Sequence, residues 1–173
     1  MNTSSLSLPV LDTPRLQLCR PDVGLAERLT EALNASYALH QPFLDWARDD
    51  WTVEESRQRL RTAASDFDSP GREHRYYLLH KASGALVGCV GLRARQTQYE
   101  LGYWASVGHA GQGYLYEALQ VLLAPFGPGQ LLLTTSSRNL ASQKLAARLG
   151  FVCQGSEERP GAVEGETTLV YGR

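Results

Sequence analysis

Apolar and polar positions change period several times along the chain, and each change marks an element. Residues 13–20 (TPRLQLCR) alternate, with Leu16 and Leu18 on one side, and predict a strand. Pro21 and Asp22 break the alternation; Leu25, Leu29 and Leu33 then recur at helical spacing and predict a first helix. Residues 34–50 hold Tyr37, Phe43 and Trp46 without a period and read as an irregular aromatic connection, with Trp51 just beyond. Thr52 stands three residues before Glu55, the spacing of a capping box, so a second helix is expected over residues 53–64, followed by a loop at 65–72.

Residues 75–81 and 85–93 read as a hairpin around Ser83-Gly84, and 98–106 as a third strand of the same meander. A glycine turn follows, then a helix over 114–124 with Leu115, Leu119 and Leu122 facing inward. The nearly all-apolar run 130–136 predicts a strand buried on both faces. Asn139 caps a helix over 140–149, which Gly150 ends. Residues 151–155 and 167–171 predict two final strands, joined by an acidic loop, 156–166, that contains Gly and Pro. The order β-α-α-β-β-β-α-β-α-β-β has no repeat and no linker. It predicts a single mixed α/β (α+β) domain over residues 10–173, behind a tail of residues 1–9, with a partly antiparallel sheet.

A chain of 173 residues has room for a substantial core. The net charge of −1 argues against a non-specific grip on nucleic acid, and arginine carries nearly all the positive charge because Lys81 and Lys144 are the only lysines. Cys19, Cys89 and Cys153 have neither zinc nor redox spacing and read as buried free thiols of a reducing compartment. His40, His74, His80 and His109 show no metal spacing either, so no metal is expected. Residues 1–8 lack the basic start and long apolar stretch of a signal peptide, and no run is long enough to cross a bilayer; a cytoplasmic protein without membrane association is expected.

The chemistry concentrates in residues 109–117, His-Ala-Gly-Gln-Gly-Tyr-Leu-Tyr-Glu. Glycines at the start of a helix let the backbone approach a ligand and turn several N–H groups outward, at the positive end of the helix dipole. A strand, a glycine turn and a helix N-terminus in that order make a site for phosphate or pyrophosphate, so a phosphorylated cofactor is expected.

Four segments together resemble the GCN5-related N-acetyltransferase (GNAT) superfamily, and within it the RimJ/RimL type of ribosomal-protein N-terminal acetyltransferase. They are Phe43-Leu44-Asp45-Trp46-Ala47, Tyr99-Glu100-Leu101-Gly102-Tyr103-Trp104, Gly111-Gln112-Gly113-Tyr114, and Asn139-Leu140-Ala141-Ser142 running on to Leu149-Gly150-Phe151. The resemblance covers about residues 10–172. The family's loop usually has Arg or Gln three residues before its first glycine. Gly108 stands there in this chain, as it lacks that side chain in the RimL type, which leaves pyrophosphate contacts to backbone N–H groups.

The resemblance implies acetyl-CoA as donor, a primary amine as acceptor, and direct attack within a ternary complex. Gly111, Gln112, Gly113, Tyr114 and Leu115 would cradle the pyrophosphate, with His109 and Ala110 flanking it. Two strands would splay, and Tyr103, Trp104 and Ala105 would offer main-chain hydrogen bonds to pantetheine in the gap; one N–H would face the developing oxyanion. Asn139 matches the family's pantetheine-contacting Asn, or is simply an N-cap. Glu100 is the base, acting directly or through water, or else a sheet-edge glutamate. Ser142 protonates the leaving thiolate or hydrogen-bonds the sulfur, with Tyr116 as the other residue for that role, or else satisfies orphan amides at the helix start.

Phe43, Trp46 and Trp51 would wall the acceptor groove, although Trp46 also fits a core position. Asp45, Asp49, Asp50, Glu157, Glu158, Glu164 and Glu166 favour a cationic acceptor, a protein N-terminus or a small amine. Relatives are monomers or homodimers. The competing reading is a non-catalytic acyl-CoA-binding or sensing module of the same fold; a nucleotide-binding protein is a weaker one, since no lysine follows the glycines.

Overall fold

The computed structural model describes residues 11–173; the tail expected at 1–9, the first residue of the expected domain and the reading of residues 1–8 lie outside the described residues. Eight strands form one sheet in the order β1-β2-β3-β4-β5-β6-β8-β7. The strands are β1 (Leu11–Asp12), β2 (Leu16–Cys19), β3 (Glu73–His80), β4 (Leu86–Arg95), β5 (Gln98–Ala105), β6 (Leu131–Ser136), β7 (Val152–Glu158) and β8 (Thr167–Gly172). Among the described residues only β5 and β6 run parallel; every other pair is antiparallel. The mixed, mainly antiparallel α/β architecture is the one expected.

The helices are α1 (Ala26–Ala35), α2 (Tyr37–His40), α3 (Val53–Phe67), α4 (Tyr114–Leu122) and α5 (Leu140–Arg148). Leu29 and Leu33 of α1 and Leu60 of α3 pack with Tyr77, Leu86 and Cys89 on one face of the sheet. Leu119 and Leu122 of α4 and Ala146 of α5 pack on the other, against Leu78, Val90, Leu101 and Leu133. Successive side chains of a strand point to opposite faces, so β3, β4 and β5 feed both cores at once.

The local signals place most boundaries. Thr52 and Glu55 make the capping box in full, and α3 runs three residues past Ala64, because Phe67 is drawn onto Tyr76 and His74. The aromatic connection contains a short helix, α2, in place of wholly irregular chain. The first predicted strand narrows to β2, since Thr13 N–H turns back to the Leu16 carbonyl (2.9 Å) and leaves Leu11–Asp12 as a separate β1. β6 is not buried on both faces: Leu131 and Leu133 are buried against α4 and α5, but Thr134 is exposed on the open side. Leu115 is only half-buried; Ala118, Leu119 and Leu122 make the inner face of α4. Among the thiols, Cys89 is buried, Cys19 half-buried and Cys153 exposed on β7, an edge strand, so burial holds for one of the three.

Candidate active site

Strands β5 and β6 pair only at Tyr99–Leu101 with Leu131–Leu133, and then diverge. The expected splay is therefore present, and hydrogen-bond alternation shows what it leaves open. Tyr99 N–H bonds the Gln130 carbonyl on the β6 side, whereas Ser106 N–H bonds Val87 on the β4 side. In an antiparallel ladder the main-chain groups alternate in direction. Tyr103 and Ala105 thus face the opening, while Trp104, opposite Cys89, directs its main chain to β4. Main-chain groups of Tyr103 and Ala105 therefore face the opening, as the expected pantetheine contacts require, whereas those of Trp104 do not; all three residues line the cavity.

A cavity of about 340 Å³ occupies the opening. It brings together Tyr103, Trp104 and Ala105 of β5, the turn residues His109, Ala110, Gly111 and Gly113, the start of α4 at Tyr114, Leu115 and Tyr116, and Asn139 and Ser142 of the α5 start. Phe43 also lines it. Gly111 (φ 74°) and Gly113 (φ 81°) occupy the left-handed region, where a side chain is strained. Gly113 is the N-cap of α4 and provides no side-chain cap, so the first N–H groups of the helix point out of the turn. The turn is anchored from outside. The Glu117 carboxylate accepts from Thr13 Oγ1 (2.6 Å), Arg15 N–H (2.8 Å) and Arg15 Nε (2.6 Å), and Arg15 in turn donates to the Gln112 carbonyl (3.2 Å) and stacks on Tyr114. The Gln112 side chain folds back to Gly108 and does not line the cavity.

Ser142 is buried, and its Oγ lies 2.7 Å from the Tyr103 hydroxyl, so the two bridge the opening from opposite banks. Burial raises the Tyr103 pKa to about 12, against the opposing effect of the Ser142 bond, so the phenol stays protonated near neutral pH. Asn139 Oδ1 accepts from Ser142 N–H (3.1 Å), which makes Asn139 an N-cap that also lines the cavity. His109 Nδ1 is held by Ser106 Oγ (2.9 Å).

Besides Gln112, three expected site residues do not line the cavity. Glu100 sits where β5 is still closed on β6, about 13 Å along the strand from Trp104 at the usual rise. Its carboxylate is taken by Arg95, with the nearest contact at 2.5 Å, and it does not line the cavity. Trp46 and Trp51 do not line it either. Trp46 meets His40 and Trp104 edge-on from behind, and Trp51 stacks with Arg48. Some of the acidic charge expected to favour a cationic acceptor is offset: Arg159 is shared between Asp45 (3.1 Å) and Glu166 (3.2 Å), and Arg48 pairs with Asp50 (3.3 Å).

The structure adds residues that sequence reading missed. Leu39, His40 and Leu44 line the cavity beside Phe43, and Lys144 and Arg148 line the side formed by α5. Lys144 and Arg148 are four apart on one helix, a spacing that was legible. His40 Nε2 donates to the Ala105 carbonyl (2.8 Å), which leaves Nδ1 unprotonated in the neutral ring. Burial holds the His40 pKa below its usual value, only partly offset by that bond, and keeps the ring neutral.

The sequence profile of the acetyltransferase (GNAT) domain matches residues 15–152. A search of curated proteins finds no match. Among solved structures, the ribosomal L7/L12 alpha-N-protein acetyltransferase RimL, in complex with coenzyme A, superposes with a TM-score of 0.80 at 22% identity, covering 95% of this chain and 96% of that one. The microcin C7 self-immunity acetyltransferase MccE, in complex with acetyl-CoA and AMP, gives 0.80 at 18% identity over 92% of each chain. A ribosomal-protein-serine acetyltransferase homologue from Vibrio cholerae gives 0.75 at 22% identity, over 96% of this chain and 97% of that one. At these identities the structures establish a shared fold, while the profile spans most of the chain. No helix among the described residues is long and apolar enough to cross a membrane. The chain belongs to the GNAT acetyltransferase family, and acetyl-CoA is the co-substrate of its acetyl transfer to an amine.

Proposed function

We propose that the acceptor is the primary amine of a protein N-terminus or of a small molecule, and that transfer occurs by direct attack in the cavity between β5 and β6. The observation that carries this reading is the parting of the two strands after Leu101 and Leu133. It leaves main-chain groups of Tyr103 and Ala105 without a strand partner, beside the uncapped start of α4. An extended pantetheine chain satisfies such an edge as a strand would, and the residues present fit it. The N–H groups of Gly111–Leu115 hold the pyrophosphate at the positive end of α4. Lys144 and Arg148 supply the positive charge that the loop lacks at Gly108.

The amine nitrogen forms its bond to the thioester carbonyl carbon as the carbon–sulfur bond breaks, with an N–H of the β5 edge facing the oxygen that gains charge. Ser142, hydrogen-bonded to Tyr103, donates to the departing sulfur. His40, neutral and with Nδ1 free of hydrogen bonds among the described residues, takes the proton of the amine. Glu100 has no part in this reading, because it lies off the cavity. Phe43, Leu39 and Leu44 present an apolar wall, which suits an acceptor whose amine is carried on an uncharged stem. The ribosomal-protein acetyltransferases that share the fold favour the N-terminal amine.

Calorimetric titration with acetyl-CoA beside ATP tests the cofactor assignment, and a screen of amino-terminal peptides against small amines tests the acceptor. Binding of acetyl-CoA but not ATP, lost in Gly111→Trp, is the expected result. A folded protein that binds neither, or acetylates no amine in the screen, contradicts the proposal.

A further inference from the structure

Tyr103 and Ser142 both line the acetyl-transfer cavity, one from β5 and the other from the first turn of α5. Their hydroxyl oxygens lie 2.7 Å apart, and either could be the donor. A hydroxyl has one hydrogen to give and lone pairs that accept, so the contact has two arrangements. If Ser142 donated to Tyr103, its hydrogen would be held inside the pair and could not meet a departing sulfur. The Tyr103 hydrogen would then be left with the Ser142 carbonyl at 3.4 Å, longer than O–H···O bonds usually run. If Tyr103 donates, its hydrogen takes the 2.7 Å contact, and the Ser142 hydrogen is free to turn into the cavity.

The surroundings favour the second arrangement. A phenol is more acidic than an aliphatic alcohol, which makes Tyr103 the better donor of the two. Burial keeps that donor protonated, with its pKa raised to about 12, so the hydrogen is not lost at ordinary working pH. Both partners are also held in place. Tyr103 packs against the core that contains Leu119 and Ala146. Ser142 is buried, and its main-chain N–H is tied to Asn139 Oδ1 at 3.1 Å. Among the described residues Ser142 Oγ has no hydrogen-bond partner other than Tyr103. Without that partner a helical serine turns its hydroxyl to a carbonyl of the preceding turn, away from any ligand.

We propose that Tyr103 is a positioning residue for acetyl transfer: its hydroxyl donates to Ser142 Oγ and so aims the Ser142 hydrogen at the leaving sulfur. This rests on the reading of Ser142 as the donor to that sulfur. The carbon–sulfur bond breaks with its electron pair on sulfur, Ser142 gives that sulfur its hydrogen bond, and the proton of Tyr103 stays on Tyr103. The two bonds reinforce each other, because an oxygen that accepts from a phenol is polarised into a stronger donor. The gain is largest when charge has gathered on sulfur, so it belongs to the transition state and not to the bound thioester.

Tyr103→Phe tests this, since it keeps the ring in its packed position and removes only the hydroxyl. kcat and the calorimetric Kd of acetyl-CoA are measured for the full chain, Tyr103→Phe, Ser142→Ala and the double variant, with the best acceptor of the peptide and amine screen. Tyr103→Phe should lower kcat about tenfold and leave the Kd of acetyl-CoA within about twofold. In the Ser142→Ala background the same substitution should lower kcat no further, because a group that acts through Ser142 has lost its target. Tyr99→Phe, on the same strand and packed on Phe126, should leave kcat unchanged. A tenfold loss that persists in the Ser142→Ala background overturns the proposal, since Tyr103 then acts independently. An unchanged kcat in Tyr103→Phe beside a large loss in Ser142→Ala overturns it too, and leaves the leaving-group role of Ser142 standing. An unchanged kcat in Ser142→Ala overturns that role and this inference together.

Discussion

Replacing Glu117 by Ala removes the carboxylate that ties the glycine turn to the first strands. Thr13 is 5% exposed, and its hydroxyl would lose a charged acceptor at 2.6 Å, a loss of about 1.5–3 kcal/mol. The Arg15 pair is weaker, because Arg15 is 43% exposed and solvent screens it; it adds about 0–1 kcal/mol. The favourable position of a negative charge in the first turns of α4 adds about 0.3–1 kcal/mol. A loss of about 3 kcal/mol follows, which lowers the melting temperature by roughly 6–12 °C for a domain of this size. The same change frees Arg15 from its grip on the Gln112 carbonyl and Tyr114, so the turn is no longer held in its binding shape. The Kd of acetyl-CoA should rise about tenfold, with kcat at saturating acetyl-CoA unchanged, since no contact of Glu117 reaches the reacting atoms. Urea denaturation and calorimetry read the two effects separately. A stability change under about 0.5 kcal/mol refutes the energetic argument. A full stability loss with unaltered Kd refutes the link between this anchor and the turn.

Three other outcomes follow from the site. Ser142→Ala should lower kcat about a hundredfold while acetyl-CoA still binds; steady-state kinetics showing an unchanged kcat would remove Ser142 from the leaving-group step. His40→Gln keeps a donor for the Ala105 carbonyl but no titrating nitrogen, so it should lose both most of kcat and the acidic limb of the kcat/KM profile, which in the native protein lies below the ordinary histidine pKa of 6.5. A limb that survives in the variant belongs to another group. His40 and His74 both have lowered pKa values, mainly through burial, so the unfolded chain takes up their protons first. Their contribution to stability is complete above 6.5 and declines as pH falls from there toward the folded values. Urea midpoints should therefore drop between about pH 7.5 and about pH 5.5, less so in a His40→Gln/His74→Gln variant.

The features legible in the sequence are those whose cause is local. A capping box needs only Thr52 and Glu55, and a left-handed turn needs only its glycines, so α3 and the start of α4 stand where expected. Glu100 shows where locality ends. Membership of the right strand says nothing about distance along it, and the pairing that closes β5 on β6 at Tyr99–Leu101 is a tertiary fact. Trp104 is a related case, since which main-chain groups face the opening is set by register with β4. Trp46 and Trp51 carry the composition of a groove wall, but packing turned them to the back of it, against His40 and two arginines. His40 carries no local signal, because its hydrogen bond is to a carbonyl 65 residues away in sequence.

The brief contact between β5 and β6 has a mechanical consequence. β4 and β5 are zipped along their whole length, whereas β6, β8 and β7 hang on the rest of the sheet by a three-residue rivet at one end. Lateral cooperativity in a sheet passes through its hydrogen-bonded rungs, so the molecule has two stiff plates and one compliant joint. A pantetheine chain seated along β5 adds rungs at that joint. Amide exchange at Leu132 and Thr134 should then slow on CoA binding well beyond the residues the cofactor touches; exchange that slows only at direct contacts would mean the plates are already rigidly coupled. The slot proposed for the acetyl donor is also the weakest line of the sheet, so on that proposal each donor molecule that enters it completes the structure that holds it.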